Sequence, residues 1–114
     1  MVVSMNKQYR CLVLDHDDTA VDSSRTIHYP AHLEVMRQLR PHMQPVSFEQ
    51  WMEKNFHPGV MGYLKEELQM SDDEIMIEYD IWQSFTTTRV PSFFPGFIDI
   101  INRFREDGGI VAVV

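Results

Sequence analysis

The chain has 114 residues, of which 44% are hydrophobic and 24% charged, and it carries a formal net charge of −7 at pH 7. This is one ordinary domain at most: apolar enough for a core, unlike a disordered tail, and small for an enzyme that also carries an accessory domain. The acidic balance and the lack of a Lys/Arg cluster argue against nucleic acid as a bulk electrostatic partner, because binding to a phosphate backbone is driven by grouped cations.

Met1 to Arg10 has no apolar signal-peptide core, and no stretch of the chain approaches the length of a membrane-spanning helix. Secretion and membrane insertion are therefore not expected. Cys11-Leu12-Val13-Leu14 is a short, continuous apolar run, partly β-branched, and predicts a strand ending abruptly at Asp15-His16-Asp17-Asp18. Unbroken runs of this kind typify central strands of parallel sheets covered by helices on both sides, in which ligands bind beyond the carboxyl ends of the strands. Both faces of this strand are expected to be covered and Cys11 to be a buried thiol. A single cysteine makes no internal disulfide, and a reducing, cytoplasmic location fits it best.

From Pro30 to Phe85 the pattern is helical, divided by Pro41, Pro45 and Pro58. Ser47 with Gln50 and Ser71 with Glu74 match the capping-box spacing and mark two helix starts. After Ser71, the residues Ile75, Tyr79, Trp82 and Phe85 recur at helical spacing and predict a core stripe. Asp72, Asp73, Glu78 and Asp80 are assigned to the other face, and the acidic bunch that also includes Glu66, Glu67 and Glu74 reads as a solvated surface. Pro95 and Gly96 open an amphipathic helix whose Phe97, Ile98, Ile101 and Phe104 share one side, and Gly108-Gly109 ends it. Ile110 to Val114 then predicts a second buried strand. The order strand, helical insert, helix, strand is a crossover unit with a long insertion in its first connection. His16, His28, His32, His42 and His57 show no complete transition-metal spacing and are expected to be ordinary surface or turn histidines. Trp51, Phe56, Met61, Tyr63, Trp82, Phe93 and Phe94 are expected to serve as internal packing.

Asp15 and Asp17 stand two residues apart at a strand end, so both carboxylates face one side if the extended geometry persists, and His16 between them alternates away. One carboxylate can attack a phosphoryl group as nucleophile, while a second first protonates the leaving oxygen and then activates water. Two anions facing a phosphate repel it, which calls for a hard divalent cation, most plausibly Mg2+.

Leu14 to Ser23, read as LDHDDTAVDS, resembles the first motif of the haloacid dehalogenase-like (HAD) hydrolases, DxDxT after an apolar strand, and extends to the Asp-Ser pair of phosphoglycolate-phosphatase-like members. Asp18 stands where many relatives carry glycine. The resemblance implies that Asp15 is the nucleophile and a Mg2+ ligand, that Asp17 is the general acid/base and binds the metal through its backbone carbonyl, and that Thr19 helps hold the turn. Pro95-Gly96-Phe97 through Val114 likewise resembles the family's Pro-Gly helix and second core strand. It further implies an α/β fold: a partial Rossmann-like HAD core, the first strands of a parallel sheet, over residues 6–21 and 93–114, with an α-helical cap inserted at 22–92. Relatives place a phosphate-binding Ser or Thr, a Lys and further acidic residues after that second strand, so the 114-residue chain is expected to be a truncated portion, inactive alone. The function implied is Mg2+-dependent hydrolysis of small phosphorylated metabolites through an aspartyl-phosphate. The alternative is a truncated, non-catalytic helical module that binds or dimerises, with self-association through the exposed edge of the Ile110–Val114 strand.

Overall fold

The computed structural model describes residues 9–114. Residues 6–8 of the expected core segment, and residues 1–8 of the stretch without a signal-peptide core, lie outside the described residues. In chain order the elements are β1 (Cys11–Leu14), α1 (Tyr29–Leu39), α2 (Phe48–Lys54), the short α3 (Val60–Gly62), α4 (Asp72–Thr88), α5 (Phe97–Glu106) and β2 (Ile110–Val113). Wider π-type turns occupy Ser24–His28, Asn55–Gly59 and Tyr63–Glu67. The fold is mixed α/β with a two-stranded parallel sheet. It divides into two compact units, the described residues through Ser24 with Pro91–Val114, and Arg25–Val90. Among the described residues, no helix is long and apolar enough to cross a membrane.

In the first unit β1 and β2 run parallel, with Cys11 opposite Ile110 and Leu14 opposite Val113. The ladder extends at both ends, where Ile110 N–H donates to the Arg10 carbonyl and Val114 N–H to the Leu14 carbonyl, each at 2.9 Å. Gly96 precedes α5 at φ +83°, a left-handed conformation that glycine takes without steric cost. The other end of α5 closes on Gly108 at φ +87°. Gly108 N–H donates to the Arg105 carbonyl and Gly109 N–H to the Phe104 carbonyl, both at 2.9 Å, the paired bonds of a Schellman motif. Phe104 is buried and Phe97 and Ile101 half-buried, but Ile98 is exposed, contrary to expectation. Positions 97, 101 and 104 form a true helical stripe, whereas Ile98 lies a further 100° round the helix.

The sheet corrects a second expectation. Leu12, Leu14 and Val111 are half-buried, but Cys11, Val13 (64% exposed) and Ile110 (65% exposed) lie open on the opposite face. Among the described residues of this unit α5 is the one helix, and it packs beside β2. One helix covers one face of a sheet, so the strands are not enclosed and the Cys11 thiol is exposed.

The second unit is built round Val35, Met36, Tyr63, Leu64, Leu68 and Met70, with Leu39, Val46, Ile75 and Ile81 packed against them. Pro30 lies in the first turn of α1, where its missing N–H costs no helical bond. Both capping boxes form as expected, Ser47 with Gln50 at α2 and Ser71 with Glu74 at α4. The Arg40 guanidinium donates to the carbonyls of Leu39, Leu68 and Gln69 and to both Glu74 oxygens. This hydrogen-bonded cation holds the Glu74 carboxyl down at about 2.

The core stripe of α4 is rotated from its expected position. Ile75, Glu78, Ile81 and Phe85 are half-buried, while Tyr79 and Trp82 are exposed. Spacings of 3-3-4 and 4-3-3 are equally helical, and packing against α1 selects the first. Glu78 therefore leaves the solvated acidic face, and burial pushes its carboxyl up. Glu74 is half-buried as well, paired with Arg40 at 2.5 Å, whereas Glu67 stays exposed and pairs with Lys54. Phe56 and Phe93, expected as internal packing, are exposed.

Candidate active site

Asp15 follows directly on the last residue of β1, so the strand delivers its carboxylate to the carboxyl end of the sheet, where it is exposed. The β1 ladder ends at Leu14, and a turn follows over Asp18–Ala20. The His16 carbonyl accepts the amides of Ala20 at 3.0 Å, Val21 at 3.3 Å and Thr19 at 3.4 Å, and Asp18 N–H donates to the Val21 carbonyl at 2.9 Å. A tight turn results, and it is pinned to the segment before α5. Val21 bridges antiparallel to Phe93, Asp22 N–H donates to the Ser92 carbonyl at 2.9 Å, and Phe94 N–H donates to the Ala20 carbonyl at 3.2 Å. Ala20 and Val21 are buried beneath this crossing, while Asp17 and Thr19 stay exposed.

Within the turn the Thr19 hydroxyl donates to Asp15 Oδ2 at 3.5 Å. His16 does not alternate away from the aspartates: its Nδ1 stands 3.4 Å from Asp17 Oδ1. The alternation rule belongs to a paired strand, and β1 ends at Leu14, two residues before His16. The His16 imidazole thus lies beside the Asp17 carboxylate.

Asp18 has a different task from Asp15 and Asp17. Its φ of +58° is left-handed, a conformation that aspartate tolerates better than most side chains. Its carboxylate accepts the Ser24 N–H at 2.9 Å and also the Ser24 hydroxyl. Ser24 is buried, so Asp18 ties the end of the loop to its start. Sequence reasoning missed this tie. The available signal was a non-glycine residue at a turn position that favours glycine, followed by a second serine directly after the Asp22-Ser23 pair.

The donor chemistry of the turn suits a hard divalent cation, since a carboxylate at Asp15 and a backbone carbonyl at Asp17 are oxygen ligands and both residues are exposed. Among the described residues, no group of three or more His, Cys, Asp or Glu side chains is arranged to hold a metal. No protein-family model matches the chain, and no curated protein matches it.

Proposed function

We propose that this chain is the nucleophile-bearing part of a HAD-like, Mg2+-dependent phosphomonoesterase acting on small phosphorylated metabolites. The observation that carries this reading is the exposed Asp15–Thr19 turn at the carboxyl end of β1, with β2 parallel beside it after a helix opened by Pro95-Gly96. In an open parallel sheet that end is where ligands bind. Asp15 attacks phosphorus and takes the phosphoryl group, the leaving alkoxide takes a proton from Asp17, and Asp17 then deprotonates the water that cleaves the acyl-phosphate. A cation held by the Asp15 carboxylate and the Asp17 carbonyl supplies charge screening between the two aspartates and the phosphate. Arg25–Val90 would serve as the helical cap of such an enzyme.

The test is exposure of the chain to acetyl phosphate with and without Mg2+, read by intact mass, together with phosphate release from a panel of small phosphomonoesters. The proposal expects a Mg2+-dependent gain of one phosphoryl group on Asp15, lost in Asp15→Asn; turnover is expected only of a longer form that carries the later phosphate-binding residues, where Asp15→Asn should abolish it and Asp17→Asn nearly so. Wild-type behaviour of both variants would sink it. A non-catalytic binding or dimerising module is the second reading, supported by the open apolar face at Val13 and Ile110. A stable dimer by light scattering, with no adduct in any condition, would favour it.

A further inference from the structure

His32 projects from α1 into the interior of the second unit, where it is 7% exposed and its Nε2 has no hydrogen-bond partner. Aromatic rings approach it from α1, α2 and the Tyr63–Glu67 turn. Tyr29 of its own helix lies 6.3 Å away and Trp51 of α2 6.1 Å away, both stacked, while Tyr63 of the Tyr63–Glu67 turn lies 5.6 Å away and tilted. Phe48 of α2 closes the group against Tyr29 and Trp51. Two cations lie over these rings: the Arg25 guanidinium 4.0 Å over Phe48, and the Lys54 ammonium 5.1 Å over Tyr63. Their carboxylate partners are Glu49 and Glu67. Among the described residues no carboxylate forms an ion pair with His32.

We propose that His32 is an acid-operated latch: protonation of its buried imidazole releases α2 and the Tyr63–Glu67 turn from α1. A positive charge would appear where no carboxylate pairs with it, and a proton entering at Nε2 would create an N–H without an acceptor, so protonation favours opening of the cluster to water. Cation–π attraction opposes this, but the Tyr63 and Phe48 faces already carry Lys54 and Arg25, and the added cation would be repelled by both. Burial alone pushes the imidazole down to about 4 from an ordinary value of 6.5. The open state, with an ordinary imidazole, therefore binds a proton that the closed state refuses. Stability of the closed cluster is full above pH 6.5 and is lost progressively as pH falls toward 4.

The experiment is amide hydrogen exchange of the whole chain at several pH values, expressed as protection factors for α2 and residues 63–67, in wild type and His32→Phe. Wild type should show an opening equilibrium about 100-fold larger at pH 4 than at pH 7, the factor set by the gap between the two imidazole values, and His32→Phe should show almost no such rise. An equal rise in His32→Phe, or none in wild type, overturns the proposal. If His32→Phe does not fold, NMR titration of the histidine rings in wild type decides. A His32 midpoint well below those of the other histidines, coincident with movement of the Trp51 ring signals, supports the latch; an ordinary midpoint without that movement refutes it.

Discussion

Gly109→Ala adds one methyl group to the first unit where there is no room for it. A Cβ at position 109 would stand 2.2 Å from Cε1 and 2.3 Å from Cδ1 of Phe104, and 2.7 Å from the Phe104 carbonyl oxygen. The ring can yield only by leaving a site in which it is 4% exposed. The carbonyl is fixed by the Gly109 N–H at 2.9 Å, so it retreats only by breaking the bond that closes α5. Overpacking of about 1–3 kcal/mol and a weakened terminal hydrogen bond of about 1 kcal/mol together give a loss of about 2–4 kcal/mol for one methyl group. Both tryptophans lie in Arg25–Val90, so fluorescence would miss the effect. Hydrogen exchange of the β1 and β2 amides under mild urea reads it directly. Phe104→Ala in the Gly109→Ala background should recover a part of the loss that its own cavity does not cancel, giving a coupling of at least about 0.5 kcal/mol in a double-mutant cycle. Strict additivity, or a Gly109→Ala cost below about 0.5 kcal/mol, would refute the reasoning.

Asp18→Ala should destabilise the first unit by about 1–3 kcal/mol, because it leaves the buried Ser24 amide and hydroxyl without their acceptor; Asp18→Asn, which keeps an acceptor, should cost less in the same chemical denaturation. Glu78→Gln should raise the melting temperature at pH 7. The Glu78 carboxyl is pushed up by burial, so the folded state favours its protonated form, the penalty is present above its folded value and disappears as pH falls below the ordinary carboxyl range, and the advantage of glutamine should vanish there; a constant difference across pH would contradict this. Ser71→Ala removes the acceptor of the Glu74 amide at the start of α4 and should cost about 1 kcal/mol, seen as faster amide exchange confined to the first turn of that helix.

Features set by neighbouring residues were legible before the structure. The capping boxes at Ser47 and Ser71 need only a hydroxyl and a side chain three residues on, and the end of α5 needs only Gly108 and Gly109 in succession. The parallel pairing of β1 with β2 also followed, because a helix between two apolar runs leaves few other connections. Burial was less legible. An apolar strand predicts the need for cover but cannot state how many layers are present, so Cys11 and Val13 were expected inside and lie outside. Tyr79 and Glu78 exchanged roles because two helical stripes fit the same residues and only the partner helix distinguishes them. His32 looked ordinary for want of a metal-ligand spacing, since nothing local records the rings of Trp51 and Tyr63. Around the candidate site Asp15 could be placed from the strand end alone. The approach of His16 to Asp17 and the Asp18–Ser24 tie belong to a turn closed on the His16 and Val21 carbonyls and pinned to a segment some 70 residues later.

The pairing of Cys11 with Ile110 joins residues separated by nearly the whole chain, and this has a kinetic consequence. Closing so long a loop in an unfolded chain carries an entropic cost before any ladder bond rewards it. Arg25–Val90 has its own buried core and its helices are formed by local contacts, so it can condense first. Once it has done so, most of the intervening length is no longer free, and the Asp22–Ser92 bond needs to bring together only the two short arms that emerge from it. The helical segment would then shorten the loop that the sheet has to close, and damage to its core should slow formation of the sheet even where no residue of the sheet is changed.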